Sequence, residues 1–155
     1  MTGESAAFQS LMAKGHSAAW EMNWAKAVEF YRQSLKESPD HPQALSSLAL
    51  AYYQLHQYDE ALRYYQRFAE ISPADPMPFE KCAQIYEHVG MINEAAQASM
   101  QGAEMQLKIH DVDHAIEDFK NAIRIEPHNL TAHTRLAMIY DKMGRKDDAV
   151  SEYLH

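Results

Sequence analysis

The side chains best able to do chemistry in this chain are nine histidines, one cysteine and several paired carboxylates. His110 and His114 stand four apart with Asp111 and Asp113 between them, a composition that suits a divalent metal. A zinc site needs three or four convergent ligands, and the remaining histidines (His16, His41, His56, His88, His128, His133 and His155) are scattered. The spacing also puts a turn between His110 and His114 and makes Asp113 a helix N-cap. No metal and no cofactor is therefore expected. Cys82 has no histidine partner on its own helix to activate it, so a packed thiol is expected there. The glycines Gly15, Gly90, Gly102 and Gly144 form no phosphate-cradling loop and are explained by packing or helix ends. Glu21, the pair Asp59 and Glu60, and the pair Asp147 and Asp148 fall at turns and helix starts, where they complement the helix dipole. Nothing in this inventory nominates a catalytic residue, and an enzyme is not expected.

The elements that must hold these side chains follow from apolar periodicity. In the stretch 42–75, Leu45, Leu48, Ala49 and Tyr52 share one helix face, and Tyr58, Ala61, Leu62, Tyr65 and Phe68 share another. His56 to Asp59 is a polar turn between them, and Pro73 ends the second helix. Two such helices cannot bury their apolar faces alone, so the unit needs copies as neighbours. The copies are there: Ala27, Ala61 and Ala95 are spaced by 34 residues, as are Pro39 with Pro73 and Tyr31 with Tyr65. Ala115 with Ala149 and Phe119 with Tyr153 repeat the spacing in another phase, because Ala95 to Ala115 is 20 residues. Residues 93–109 lie between two turns of the within-pair kind, with no proline-bearing turn around them. We read that helix as shared between two units; an ordinary degenerate repeat is the alternative. The count comes to about nine helices, over 8–21, 25–37, two within 42–75, 76–89, 93–109, 112–126, 130–143 and 147–155.

A helix–turn–helix period of this length is that of the tetratricopeptide repeat, and the motif residues resemble that family. Its first-helix small residue and aromatic stand as Gly15 with Ala18, Ala49 with Tyr52, Ala83 with Tyr86 and Ala137 with Tyr140. Its second-helix signature stands as Ala27, Tyr31, Ser34 and Pro39, and as Ala115, Phe119, Ala122 and Pro127. Leu11, Leu45, Phe79 and His133 stand where the family often has Trp, Phe68 replaces a small residue, and Ser99 replaces the aromatic. The resemblance implies an all-α, right-handed antiparallel solenoid forming one domain over 1–155. Its repeats would be 8–41, 42–75, 76–95 (shortened, or sharing helix 93–109), 96–129 and an incomplete 130–155. It also implies that Tyr31, Tyr52, Tyr65, Tyr86, Tyr140 and Tyr153 are core residues.

By the same resemblance, first-helix residues beside the core stripe line a concave groove that binds peptides. Carried over, these are Met12, His16, Trp20, Ser47, Leu50, Tyr53, Gln54, Gln84, Glu87, His88, Arg135 and Met138. The family's chaperone-carboxylate clamp would use the positions of Met12, His16, Ser47, Met77 and Lys81, of which only Lys81 fits, so that role is not expected.

Composition narrows the partners. A formal net charge of −8 argues against nucleic acid or an anionic membrane, and Lys142, Arg145 and Lys146 are offset by Asp141, Asp147 and Asp148, leaving no basic cluster in the chain. A lone cysteine, no signal peptide and no apolar run of about 20 residues predict a soluble cytoplasmic protein. The last helix is short and would leave Val150, Tyr153 and Leu154 facing a missing neighbour, which predicts a longer parent chain or a homodimer through that end. The expected function is a non-catalytic protein–protein interaction scaffold. The rivals are a self-assembling structural repeat and a secretion-type chaperone for an aggregation-prone substrate.

Overall fold

The computed structural model describes residues 4–155. Among them are nine helices and no strand: α1 (Ala6–Trp20), α2 (Trp24–Glu37), α3 (Pro42–Gln54), α4 (Tyr58–Ile71), α5 (Met77–His88), α6 (Ile92–Lys108), α7 (Val112–Ile125), α8 (Leu130–Lys142) and α9 (Lys146–Tyr153). They form two compact units, the first ending at Ser72 and the second running Pro73–His155.

Side chains capping the free backbone donors set several helix starts. Ser5 accepts the Phe8 N–H at 3.0 Å, and Asn129 accepts the Ala132 N–H at 2.9 Å. Asp111, rather than Asp113, caps α7 by accepting the His114 N–H at 3.3 Å. Asp113 lies inside the first turn, where its charge still favours the dipole.

Two kinds of turn alternate with one interruption. Met22, His56, Gly90, His110 and Gly144 all have positive φ, between 57° and 81°. At each, the next residue's N–H donates to the carbonyl five positions back, over 2.8–2.9 Å, which is the Schellman closure. The other turns, at Pro39, Pro73 and Pro127, lack this closure. Because α6 has a Schellman turn at both ends, it pairs with α5 on one side and with α7 on the other. Small residues make this possible: Ala95, Ala96, Ala98, Ser99, Gly102 and Ala103 are all buried on that single helix.

Close approach is the rule within each pair. Ala27, Ala61, Ala95 and Ala115 are wholly buried near the starts of their helices, and Ala149 nearly so. Gly15 is the tightest case, because a Cβ there would fall 2.4 Å from Cε1 of the buried Tyr31 ring. In the second unit a Cβ on Gly102 would lie 3.2 Å from Oδ2 of Asp118. That oxygen is buried and finds no hydrogen-bond partner among the described residues. Burial, followed by the nearby charge of Glu80 on α5, pushes the Asp118 carboxyl from its ordinary 3.8 up to about 7. Glu117 adds to the rise and His114 opposes it. Gln106 on α6 donates to Glu80 at 2.9 Å. At the far end, His133 of α8 is buried and holds α9 through Glu152, at 2.7 Å, while its other ring nitrogen meets the Pro127 carbonyl.

Two outcomes follow from this packing. Gly15→Ala should lose about 1–3 kcal/mol in denaturant unfolding, even though alanine favours a helix interior by about 1 kcal/mol; unchanged stability would mean the Tyr31 ring moves aside freely. Asp118 keeps its proton in the folded chain to about pH 7 but loses it near 3.8 when unfolded, so its contribution is complete below about pH 4 and falls away as pH rises to about 7. Asp118→Asn should therefore melt higher than the native chain at about pH 8, with the gap closing toward about pH 4. Parallel melting curves against pH would contradict that.

Candidate functional site

The first-helix face of the first unit is built around Tyr31 of α2. Its ring lies under Gly15 and is only 2% exposed. The phenol oxygen meets Nδ1 of His16 on α1 at 2.9 Å, with the two rings edge to face. Burial raises the Tyr31 pKa, and a side-chain hydrogen bond from Ser47 on α3 opposes the rise. The phenol thus sits between His16 of α1 and Ser47 of α3. Leu50 and Tyr53 continue the Ser47 face of α3, and Tyr53 packs edge-on against Tyr58 with centroids 5.7 Å apart. Leu50 is 40% exposed and Gln54 is exposed. Trp20, closing α1, is 91% exposed.

Met12 departs from the expected groove and belongs to the core, at 5% exposure, with its sulfur 3.3 Å from the Ser34 hydroxyl. The apolar stripe of α1 is wider than the motif positions alone predict, because Ser34 leaves room for a long side chain above it. Tyr153 is 57% exposed: it leaves the core implied by the motif resemblance and agrees with the exposed end expected of Val150, Tyr153 and Leu154.

The other carried-over residues lie in the second unit. Gln84 and His88 are exposed on α5. Glu87 is engaged by Arg124 of α7, whose Nη2 reaches both carboxylate oxygens at 2.8 Å. Arg135 of α8 donates to Glu104 of α6 at 2.6 Å, and Met138 is exposed. Glu87 and Arg135 are therefore tied to different helices; pairs this exposed contribute only about 0–1 kcal/mol each.

The sequence's chemical candidates resolve as follows. Asp111 and His114 pair at 2.7 Å, which holds the aspartate pKa down and the histidine pKa up. His110 occupies the left-handed turn position. No group of three potential metal ligands occurs among the described residues. Burial pushes the Cys82 thiol up to about 12, which disfavours the reactive thiolate. No helix among the described residues is long and apolar enough to cross a membrane.

One cluster escaped the sequence reading, which found no basic cluster. Arg32 and Lys36 on α2 and Arg63 and Arg67 on α4 line a single pocket. The signal was two basic pairs, each four residues apart, on successive second helices; a scan for contiguous charge passes over them.

Two tetratricopeptide repeat models match the chain, over residues 8–76 and 107–153. Anaphase-promoting complex subunit 3 of Schizosaccharomyces pombe is 23% identical over 154 residues, covering 90% of this chain; the chain spans only 23% of that relative's length. The structure is similar to the yeast Sti1 TPR2B domain in complex with pHsp70, at TM-score 0.69 and 17% identity, covering 81% of this chain and 100% of that one. It is also similar to a chain of the CopN–Scc3 complex, at TM-score 0.65 and 19% identity, covering 71% of this chain and 67% of that one. Nine antiparallel helices, the recurrent buried alanines and these matches agree, and the chain belongs to the tetratricopeptide repeat family.

Proposed function

We propose that the chain is a protein-interaction module that holds a peptide segment of a partner on the first-helix face of its first unit. It acts as a scaffold or adaptor and catalyses nothing itself. The observation that carries this reading is Trp20, a large aromatic left 91% exposed at the end of a helix. The exposed Trp20 and the exposed Leu50 of the same unit offer the kind of anchors on which interface energy concentrates. His16, Ser47 and Gln54 supply polar groups that would bond a peptide backbone and set its direction. Gln84, Glu87, His88, Arg135 and Met138 lie on first helices of the second unit and are candidates for a groove of that unit taken by itself. The similar structures from yeast Sti1 and CopN–Scc3 are themselves complexes, which supports an interaction role for this fold. The buried Cys82 thiol favours a reducing, cytoplasmic setting.

A second reading has its own observation. Val150, Tyr153 and Leu154 on α9 are 55%, 57% and 81% exposed, an apolar patch that a second copy would cover.

Trp20→Ala and Tyr53→Ala should each weaken a partner recovered by pull-down by about 1–3 kcal/mol in a binding titration, with an unchanged helical circular dichroism spectrum. Wild-type affinity in both variants would remove the groove as the site. For the second reading, sedimentation should show a mass that rises with concentration and becomes monomeric when Tyr153 and Leu154 are both replaced by Lys. A native chain that is monomeric at all concentrations rules self-association out.

A further inference from the structure

The cluster that no motif predicts lies on the second helices of the first unit, apart from the first-helix groove. Arg32, Lys36, Arg63 and Arg67 surround a pocket of about 410 Å³. Arg67 is fixed and its charge answered: Nε and Nη2 donate to Asp40 at 3.0 and 2.7 Å, and Nη1 donates to Glu70 at 2.8 Å. Arg32, Lys36 and Arg63 enter no ion pair among the described residues. The Arg63 guanidinium lies 5.4 Å from the Tyr64 ring centroid, and Tyr64 stacks on Tyr52 at 5.6 Å, so this cation sits on an aromatic platform. Leu35 and Pro39 add apolar wall between the charges.

Two features decide what such a pocket takes. The pocket adjoins a second one of about 390 Å³ along α2, which shares Arg32 and Lys36 and includes Val28 and Glu29. An elongated basic track with apolar patches fits an extended chain better than a single small anion. The whole chain carries a net charge of −8, so a nucleic acid or an anionic membrane would be repelled by most of the molecule. A short segment with two or three carboxylates meets only the local cations.

We propose that the face formed by α2 and α4 is a second docking surface, which takes an acidic peptide segment of a partner protein carrying an apolar or aromatic side chain. Carboxylates would pair with Arg32, Lys36 and Arg63, and the apolar side chain would rest against Tyr64 and Pro39. This surface is independent of the groove, so the module could hold two segments at once.

The test is fluorescence anisotropy on the full chain with a dye-labelled synthetic peptide of about ten residues, rich in Glu with a Leu and a Phe, against the same peptide with Lys for Glu. The acidic peptide should bind, weaken as salt is raised, and weaken by about tenfold or more in Arg32→Glu with Arg63→Glu. Both positions are exposed, and circular dichroism confirms the fold; the milder pair Arg63→Gln and Lys36→Gln should show a smaller loss in the same direction. Trp20→Ala should leave this binding unchanged, which separates it from the groove. Equal binding of the two peptides, or wild-type binding by the charge-reversed variant, overturns the proposal. Tighter binding of a single-stranded oligonucleotide or of phosphatidylserine vesicles, lost in that variant, overturns the peptide assignment. A concentration-dependent mass abolished by the variant makes the occupant a second copy, and overturns it likewise.

Discussion

The distance between paired helices governs this structure. Gly15 leaves no space for a Cβ beneath the Tyr31 ring, and the wholly buried alanines at 27, 61, 95 and 115 do the same service at other pairings. Small residues at these points let larger neighbours such as Leu48, Tyr65 and Phe119 bury almost completely. The consequence reaches the surface. Because Tyr31 is packed tightly against Gly15, its phenol is held where His16 and Ser47 can reach it. The polar geometry of the first-helix face is therefore set by the packing of the same ring against α1.

How much could be read beforehand depends on the range of the interaction. Helix positions came out within one or two residues, since prolines, turn residues and apolar spacing act locally. The shared role of α6 was legible too, because its two flanking turns look alike in sequence and close alike in space. Met12 was misplaced because its burial depends on Ser34, a neighbour on another helix. Asp113 was preferred to Asp111 as a cap because both are acidic and only the turn geometry separates them. The quartet around Arg32 and Arg63 was invisible for a similar reason: its members come together only when α2 and α4 take their places side by side.

Charge is distributed to match. Several cations in the second unit are engaged, with Arg124 on Glu87 and Arg135 on Glu104, and they tie neighbouring helices together. In the first unit the three basic side chains Arg32, Lys36 and Arg63 of the α2–α4 pocket have no such duty. The same unit carries Trp20, so it presents both an aromatic and a cationic surface. The second unit instead buries unusual polarity, in Asp118, Gln106 and His133. These groups restrict how α5, α7 and α9 can settle, and a buried acid that repels its neighbour makes that arrangement sensitive to its proton.

The double use of α6 also bears on how such a chain can change its length. In the first unit a helix pair carries its own turn and its own proline stop, so duplication or loss of about 34 residues leaves neighbouring pairs chemically intact. The run from α5 to α7 has no such seam. Removing α5 uncovers one side of Ala95 to Gln106, removing α7 uncovers another, and removing α6 strips both partners at once. Recombination in whole repeats can therefore extend or shorten the first half of the chain, while α5, α6 and α7 must be inherited, and must fold, together.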